Sequence, residues 1–461
     1  MDYNYSLGCH NYYHLKNQIK VNKKVVILGA GESGTGAALL AKTKGYHVFV
    51  SDSAQIKEKF KTELDKMQVE WEEGSHTWDK VLSADLIIKS PGIPDTAPII
   101  EASTTKAIPV ISEIEFAGRF SDAKMICITG SNGKTTTTSL LYHIFKQAGK
   151  NVGVAGNIGA SLARQVATIE HDYYIVELSS FQLDNMYDFK ADIAILLNIT
   201  PDHLDRYEYK MGNYIDAKFR IIQNQTPKDH FIYWVDDAII SKQVEQREII
   251  AQCNPFSLEY PSYTTADQTN IKVDNGSFIV KREHLKLLGT HNLLNAMAAT
   301  TAAQLSGLTV EQIEQGMESF EGVEHRLEYV TTIDQITYIN DSKATNVDSC
   351  YYALQAMHKP TVLILGGKDK GNNYDEISQL VKDKCVGLVF MGIDNSKLQS
   401  YFKDFGIPIS DTCSIEDAVK AAKALAPKDS IVLLSPCCAS FDLFSSYENR
   451  GELFKQTINK L

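Results

Sequence analysis

Short runs of aliphatic and β-branched residues alternate with helix-like stretches along nearly the whole chain. Most of these runs are apolar at every position, as expected for parallel strands covered by helices on both faces. The strands predicted in this way are Val25–Leu28, His47–Ser51, Leu86–Ile88, Lys124–Thr129, Tyr173–Leu178, Asp192–Ile199, Thr361–Leu365, Gly387–Met391 and Ser430–Leu434. The pattern therefore predicts an α/β protein with right-handed crossovers.

The pattern restarts at two places, which predicts three domains in a chain of 461 residues. The helical stretch Glu113–Phe120 leads into a new strand, and the alternating segment Leu327–Ile339 resembles a hairpin that opens another sheet. We predict a Rossmann-like N-terminal domain at 1–117, a central P-loop mononucleotide-binding α/β domain at 118–322 and a Rossmann-like C-terminal domain at 323–461. The polar stretch 240–285 is predicted to form peripheral strands or an insertion.

Composition and charge indicate which kinds of binding partner this protein can have. The formal net charge is −11, so no overall field attracts nucleic acid or an anionic membrane, and an anionic substrate must be held by local positive groups. No apolar run approaches the ~18 residues of a spanning helix, and the N-terminus lacks the apolar segment of a signal peptide. The eight cysteines show no metal-type spacing, which indicates free thiols in a reducing compartment. These features predict a cytoplasmic protein without nucleic-acid or membrane partners.

A phosphate-binding loop is predicted directly after the strand that ends near Ile128. Its backbone N–H groups can hold phosphate oxygens, Lys134 can reach the β- and γ-phosphates, and the Thr135 hydroxyl can reach Mg²⁺. The usual pattern is G-x-x-x-x-G-K-[ST]; here Ile128 stands five residues before Gly133, so the loop is a shortened variant. The alternative is a Gly/Thr-rich turn that happens to contain a lysine.

Three further residues are candidates for a metal site near this loop. Glu177 lies near the end of a buried strand, His203 follows another buried strand, and Lys218 lies on a predicted helix. Carboxylate oxygens at the carboxyl ends of parallel strands suit Mg²⁺. The alternatives are an edge carboxylate for Glu177, a structural histidine for His203 and a solvated lysine for Lys218.

A second glycine-rich loop, Gly29–Gly34, follows the first strand and fits G-x-G-x-x-G, with Asp52 about twenty residues further on. Taken alone, this motif predicts a dinucleotide-dependent oxidoreductase. It indicates only that a diphosphate can approach the backbone, and the second nucleotide site at Lys134 argues against a plain dehydrogenase.

In the C-terminal third, three polar clusters each follow a predicted strand, at Asn340–Asn346, Gly366–Lys370 and Ser435–Asp442. Lysines, hydroxyls and backbone N–H groups at such a sheet edge suit a small anionic acid. Upstream, Asn292 and Asn295 could contact an adenine edge from one helical face. The alternatives are loops with helix caps and a capped packing helix.

These motifs together resemble the Mur ligase family. The matching segments are TGSNGKTTT, NITPDHLDR, GTHN followed by LLN, NDSKATN, LGGKDK and SPCCASFD, in one order from about Val25 to the C-terminal region. NDSKATN and SPCCASFD favour the D-glutamate-adding branch. The resemblance implies a cytoplasmic, monomeric enzyme of peptidoglycan precursor synthesis. It implies that ATP and two Mg²⁺ ions support the addition of D-glutamate to UDP-N-acetylmuramoyl-L-alanine through an acyl phosphate.

The resemblance also implies residue roles. Catalysis is assigned to Lys134, His203, Lys218 and Lys343. ATP binding is assigned to Gly130, Ser131, Asn132, Gly133, Lys134, Thr135, Thr136, Asn292, Asn295, Arg326 and Asp341. Binding of the UDP substrate is assigned to Glu32, Ser33, Asp52, Ser53, Gly92, Asn157 and His203. Binding of D-glutamate is assigned to Thr345, Lys368, Ser440, Phe441 and Tyr447. Metal binding is assigned to Thr135, Glu177, His203 and Lys218, the last as a carbamate. Ala54 departs from the family pattern, in which an arginine often helps to bind UDP.

Three other functions stay open at this point. One is a sibling ligase that adds a different amino acid, or a folylpolyglutamate synthase-like ligase, although the latter lacks a separate UDP-binding domain such as residues 1–117. The second is the dinucleotide-dependent oxidoreductase, which leaves Lys134 unexplained. The third is a non-catalytic nucleotide-binding regulator, which leaves Glu177 and His203 unexplained.

Overall fold

The computed structural model describes residues 23–202, 204–287, 289–369 and 371–461. Residues 1–20, which precede the segment that resembles the family, lie outside the described residues, as do His203 and Lys370. The described chain forms two compact units, one from residue 23 to Val280 with Ala298–Gly316, and one from Lys281–Met297 with Met317–Leu461. Its strands form three sheets whose strands alternate with helices, which confirms the predicted α/β fold class. The domain limits near residues 117 and 322 stay predictions.

The first sheet is parallel, in the order β3-β2-β1-β4-β5. Its strands are β1 (Lys24–Leu28), β2 (His47–Asp52), β3 (Glu70–Glu73), β4 (Leu86–Lys89) and β5 (Val110–Ser112). Its helices are α1 (Glu32–Thr43), α2 (Glu58–Lys66), α3 (Trp78–Val81), α4 (Pro98–Thr105) and α5 (Glu113–Gly118). The strand order reverses beside β1, so the glycine-rich loop after β1 lies at the crevice where such sheets bind ligands.

The second sheet has the order β14-β13-β12-β11-β10-β9-β6-β8-β7. Its strands are β6 (Lys124–Thr129), β7 (Val152–Gly156), β8 (Tyr173–Glu177), β9 (Ile193–Leu196), β10 (His230–Trp234), β11 (Gln252–Ser257), β12 (Thr264–Ala266), β13 (Asn270–Val273) and β14 (Phe278–Lys281). The helices between β6 and β11 are α6 (Lys134–Gln147), α7 (Leu162–Thr168), α8 (Ser180–Asp184), α9 (Met211–Phe219) and α10 (Ala238–Gln246). Two more helices follow the sheet, α11 (Thr290–Leu305) and α12 (Val310–Ser319). Because β6 lies between β8 and β9, the phosphate loop, Glu177 and Asn198 meet at the carboxyl ends of these three parallel strands.

The third sheet has the order β15-β16-β20-β17-β18-β19, in which only the β15–β16 hairpin is antiparallel. Its strands are β15 (Glu328–Ile333), β16 (Ile336–Asn340), β17 (Thr361–Gly366), β18 (Cys385–Met391), β19 (Ile409–Thr412) and β20 (Ser430–Cys437). Its helices are α13 (Val347–Ala356), α14 (Asp375–Lys384), α15 (Ser396–Phe402), α16 (Ile415–Leu425) and α17 (Tyr447–Ile458). The predicted hairpin at residues 327–339 is confirmed.

The predicted strands all occur, with differences at their ends. The expected Asp192–Ile199 strand is only Ile193–Leu196, since the residues after it turn toward the phosphate loop, while β20 continues to Cys437. Strand β3 has the sequence EWEE, which carries no apolar run and was not predicted. The stretch 240–285 contains most of α10 and the edge strands β11 to β14, as peripheral strands. Among the described helices, none is long and apolar enough to cross a bilayer.

Candidate active site

The phosphate loop joins β6 to α6 and is shaped by two glycines and an asparagine. Gly130 and Gly133 have positive φ angles of 153° and 83°, which favour glycine because a side chain would be strained there. The Asn198 side chain binds Asn132 twice: Oδ1 accepts from the Asn132 N–H at 2.8 Å, and Nδ2 donates to its carbonyl at 3.1 Å. The loop is therefore pinned to the neighbouring strand end, with the N-terminus of α6 behind it.

Two lysines converge on one carbonyl of this loop. Lys134 Nζ donates to the Gly130 and Ser131 carbonyls at 2.7 and 2.8 Å, and Lys218 Nζ donates to the same Gly130 carbonyl at 2.8 Å. Lys218 is 1% exposed. Burial, with the positive charge of Lys134 second, holds the pKa of Lys218 well below its usual value, although Asp202 and Asp184 act in the opposite direction. This setting favours the neutral, nucleophilic amine.

Tyr214 supports both the loop and the buried lysine. Its hydroxyl lies 3.0 Å from Ser131 Oγ, and its ring centroid lies 4.7 Å from Lys218 Nζ. Burial raises the pKa of Tyr214, so the group stays a neutral phenol. Sequence reasoning did not single out this residue; the available signal was its place one helical turn before Lys218.

Glu177 ends β8 directly beside the loop, since it pairs with Ile128 of β6. Its side chain is buried. Oε1 accepts from Asn157 Nδ2 at 2.9 Å, whereas Oε2 has no hydrogen-bond partner in the part of the chain that the structure describes. A buried, unsatisfied carboxylate oxygen is a hard donor that fits a divalent cation. Thr135 lies in the first turn of α6, and His203 lies outside the described residues.

The Gly29–Gly34 loop is held by the carboxylate of Asp52. Ala30 N–H donates to Asp52 Oδ2 at 2.7 Å, and Ala54 N–H donates to Oδ1 at 2.9 Å. A Cβ atom at Gly34 would lie 1.9 Å from the Gly29 carbonyl, so this close approach requires glycine. Asp52 thus fixes the loop in addition to its predicted substrate role.

The other residues predicted to bind UDP differ in their surroundings. The Gly92 carbonyl accepts from Arg206 Nη1 at 3.4 Å, and the Arg206 guanidinium stacks over Phe181. Ser33 is half-buried and Ser53 is exposed.

Glu32 opens α1 and forms an ion pair with Arg164 of α7, with 2.7 Å between Oε1 and Nε. Sequence reasoning missed Arg164, because nothing local to α7 marks it.

In the second compact unit, Asp341 directly follows β16 and is a fully buried carboxylate. Its Oδ2 accepts from Ser435 Oγ at 2.9 Å, and Oδ1 accepts from the Leu327 N–H at 3.2 Å and lies 3.7 Å from Arg326 Nη1. Burial raises the pKa of Asp341 to about 6, against the lowering effect of Arg326. Arg326 and Asp341, both predicted to contact ATP, are therefore neighbours.

Asn292 and Asn295, the other pair predicted to contact ATP, face each other in the first turns of α11. Both are buried, and Asn295 Nδ2 donates to Asn292 Oδ1 at 3.3 Å. The pattern of two asparagines on one helical face is thus confirmed, and their contact with an adenine stays a prediction.

The predicted D-glutamate residues lie on strand-end loops of the third sheet, except Tyr447, which begins α17. Lys368 and Ala439 pair through both backbone groups, at 2.8 and 3.2 Å, which joins the loops after β17 and β20. Next in the chain, Ser440 is buried and Phe441 is 70% exposed. Lys343 Nζ lies 5.3 Å from the centroid of the Tyr447 ring. Thr345 is half-buried in the loop before α13.

Arg450 holds these loops together and was missed by sequence reasoning. Its guanidinium donates to Ser342 Oγ at 2.9 Å, to the Ser342 carbonyl at 2.8 Å and to the Cys438 carbonyl at 3.2 Å. The side chain is fully buried, and burial lowers its pKa to about 10. A charged residue three positions after Tyr447 on α17 was the only signal in the sequence.

Three family models match the chain, one for each sheet. The model described as MurD N-terminal domain matches residues 24–98, the Mur ligase middle domain matches 128–303, and the Mur ligase, glutamate ligase domain matches 325–438.

Individual relatives match nearly the full length. The chain is 58% identical over 443 residues to the UDP-N-acetylmuramoylalanine–D-glutamate ligase of Bacteroides fragilis, covering 95% of this chain and 100% of that protein. It is 53% identical over 443 residues to the protein of the same name from Porphyromonas gingivalis, covering 95% and 98%. The solved UDP-N-acetylmuramate-alanine ligase of Thermotoga maritima is 18% identical with a TM-score of 0.62, covering 95% of this chain and 99% of that chain, which shows a shared fold.

Proposed function

The chain belongs to the Mur ligase family, and we propose that it joins D-glutamate to UDP-N-acetylmuramoyl-L-alanine while ATP is converted to ADP and phosphate. The sequence relatives of 53–58% identity carry the name of this reaction. The structural observation that carries the proposal is the meeting of Lys134 and Lys218 at one loop carbonyl, beside the open oxygen of Glu177. A dinucleotide-dependent oxidoreductase is disfavoured, because all three sheets belong to ligase domains.

The first step activates a carboxylate, which is a poor electrophile. An oxygen of the substrate's terminal carboxylate attacks the γ-phosphorus of ATP, and the bond from this phosphorus to the β,γ-bridging oxygen breaks. The products of this step are ADP and an acyl phosphate. Lys134 and the backbone N–H groups at the start of α6 would hold the phosphate oxygens. At an effective dielectric of about 20, unit charges 4 Å apart interact by roughly 4 kcal/mol, so Lys134 alone can supply a large rate factor.

The second step forms the amide bond. The D-glutamate nitrogen attacks the acyl carbon, a proton leaves the nitrogen, and phosphate departs from the tetrahedral intermediate. We propose that Lys368, Thr345 and Ser440 hold the amino acid. Lys343 and Tyr447 border this pocket, as does the exposed ring of Phe441.

The remaining predicted contacts are proposed for the two nucleotides. Asn292, Asn295, Arg326 and Asp341 would hold the adenosine part of ATP, together with the phosphate loop residues Gly130, Ser131, Asn132, Gly133, Thr135 and Thr136. Glu32, Ser33, Asp52, Ser53, Gly92 and Asn157 would surround the UDP-bearing substrate. We propose that His203 binds both the metal ion and the sugar part of the UDP-bearing substrate.

The buried carboxylate of Glu177 fits a divalent metal, and we propose that Glu177, Thr135 and a carbamate on Lys218 hold Mg²⁺, with two ions in the full site. Bound Mg²⁺ would offset the repulsion between γ-phosphate and carboxylate. A neutral Lys218 amine can react with CO₂ and lose a proton, which forms an N–C bond and gives an anionic carbamate. This anion would attract Lys134, whereas a protonated Lys218 would repel it.

Product identification tests the proposal directly. The purified protein is supplied with UDP-N-acetylmuramoyl-L-alanine, ATP, Mg²⁺ and D-glutamate, and the products are analysed by mass spectrometry. We expect ADP, phosphate and a UDP-linked product heavier by one glutamyl residue. Parallel reactions with L-alanine, a diamino acid or D-alanyl-D-alanine test the sibling ligases. Turnover with one of these and none with D-glutamate would refute the proposed specificity. The proposal also places the reaction in the cytoplasm, carried out by a monomer.

A further inference from the structure

Arg164 of α7 binds two carboxylates that belong to the first sheet and its helices. Its Nε lies 2.7 Å from Glu32 Oε1, and its two Nη groups contact Glu63 of α2. Glu32 is the first residue of α1, at the helix end that borders the Gly29–Gly34 loop. The ion pair therefore lies at the mouth of the loop, between elements that are more than a hundred residues apart in sequence.

A close packing of α1 on α7 makes this contact possible. A Cβ atom at Gly36 would lie 1.9 Å from Ser161 Oγ and 3.2 Å from Arg164 Cβ, so only glycine allows this approach. At the same end of α7, the Ser161 N–H donates to Glu32 Oε1 at 3.2 Å. The partly exposed Glu32 carboxylate is thus held by two donors, the Arg164 side chain and the Ser161 N–H that precedes α7.

The position of Glu32 creates an electrostatic conflict. A helix N-terminus behind a glycine-rich loop attracts the oxygens of a diphosphate, but a carboxylate in the first turn competes for the same N–H groups and repels the anion. Glu63 and the buried Glu113 add further acidic groups nearby. Burial raises the pKa of the Glu113 carboxyl to about 7. The hydrogen bond from the Ala163 N–H lowers this pKa by less, and the negative charge of Glu32 raises it further. Arg164 is in direct contact with Glu32, and its positive charge offsets this negative charge.

We propose that Arg164 is a positioning residue for the UDP-bearing substrate, because it draws the Glu32 carboxylate toward α7 and offsets part of the negative charge at the loop. The loop can then accept a diphosphate in spite of the acidic residue in its sequence. This inference rests on the proposed function, which puts the UDP part of the substrate at Gly29–Gly34. It assigns to Arg164 a role in affinity for one substrate and none in the chemical step.

The test compares UDP binding by calorimetry in the full-length protein and in the variants R164Q, E32Q and E32Q/R164Q. R164Q should weaken UDP binding by about tenfold, as expected for one uncompensated charge several ångströms from a diphosphate. The loss caused by R164Q should depend on Glu32, so the double variant should bind UDP within about threefold of E32Q alone. In turnover assays of R164Q, the KM for the UDP substrate should rise, while kcat and the KM for ATP stay near wild type.

Matched variants separate this role from general effects. R164K keeps the charge and should retain most of the affinity. Lys272→Gln removes a cation from β13, at the edge of the second sheet, and should leave UDP binding unchanged. The loss in R164Q should also shrink as salt rises from 0.05 to 0.5 M, since the Debye length falls to a few ångströms (about 4 Å).

Two results would overturn the inference: wild-type affinity in R164Q, or an equal loss from R164Q in the wild-type and E32Q backgrounds. Thermal melting will show whether R164Q folds. If it does not, R164K still tests the inference, because a tenfold loss of UDP affinity in this charge-keeping variant would overturn it. A wild-type protein that binds no UDP would refute the proposed function itself, and the inference with it. The two failures are therefore distinguishable.

Discussion

Two loops of this protein share one local architecture, a parallel strand, a glycine-rich turn and a helix, and yet carry opposite charges. The loop after β6 leads into Lys134, which binds its own loop carbonyls and lies near a second lysine, Lys218. The loop after β1 leads into Glu32, whose charge is offset by Arg164 from another helix. The two loops therefore share a backbone architecture but differ in the source of positive charge. In the phosphate loop the cation comes from the loop's own helix, and at the Gly29–Gly34 loop it comes from a different helix.

The comparison shows that glycine spacing and helix direction define where a phosphate can approach, and that side chains from other elements define the charge it meets. The phosphate loop concentrates its charges within a buried edge of the second sheet, where low dielectric strengthens them. The Gly29–Gly34 loop is more open: Glu32 and Arg164 have side chains that are 40% and 21% exposed. Changes at the first site should thus affect catalysis, and changes at the second should affect binding and stability.

The largest effect is expected from Lys134→Ala. Removal of the ammonium group takes away the local cation that meets the γ-phosphate, and ATP-dependent phosphate release should fall by at least about a thousandfold. UDP binding, measured by calorimetry, should stay near wild type because that ligand uses the other loop. Lys146→Ala, at the far end of the same helix, is the matched control and should retain turnover. Near-normal phosphate release by K134A would remove the assignment of this loop.

Lys218→Ala should reduce turnover by about a hundredfold or more, since it removes both the buried amine and the proposed carbamate. Added acetate should restore part of the activity by supplying a carboxylate in the vacated volume. Lys210→Ala, which removes an exposed lysine just before the same helix, should be active without acetate. If K218A turned over normally, or if acetate had no effect on an inactive but folded K218A, the carbamate proposal would fail.

Gly36→Ala probes the packing beside the more open loop. The new methyl group would collide with Ser161 Oγ, which caps α7, so we expect a loss of about 1–2 kcal/mol in the free energy of unfolding. Chemical denaturation measures it. Gly212→Ala is the control, because Gly212 lies in α9 with no heavy atom within 4 Å of the added Cβ, and this change should be neutral or stabilising. Equal stability of G36A and wild type would contradict the close approach of α1 and α7.

The pH dependence of stability tests the buried carboxyl group of Glu113. The folded-state pKa of Glu113, about 7, lies above the value of 4.5 for an unperturbed glutamate. Its native environment therefore favours the protonated form, so the stabilisation is present below pH 4.5 and is lost as the pH rises through about 7. The free energy of unfolding should fall between pH 5 and pH 8 by about 2 kcal/mol more in the wild type than in Glu113→Gln.

Urea titrations of both proteins at several pH values measure this difference. Other groups that titrate in the same range, such as Asp341 with a pKa of about 6, contribute equally to the two proteins and cancel in the comparison. Parallel stability curves would show that Glu113 is ionised at no cost in the folded protein.

Much of this site could be predicted from local patterns. A buried parallel strand followed by glycines and Lys134 defines a phosphate loop, because backbone geometry and helix direction depend on neighbours in sequence. The same holds for the Gly29–Gly34 loop, for the strand-end position of Glu177 and for the hairpin at residues 327–339. Polar strands such as β3 escaped prediction, since their pairing depends on a neighbouring strand and not on their own apolar content.

The sequence by itself determined the α/β class, the three sheets, the two glycine-rich loops and the family. The tertiary structure alone decided that Lys218 is buried beside Lys134, that Arg164 meets Glu32, and that Arg450 ties Ser342 to Cys438. More than eighty residues of chain separate Lys134 from Lys218, Glu32 from Arg164 and Ser342 from Arg450. Charge and burial at a site depend on distances through space, and these are set by strand order and helix packing, which no local pattern records.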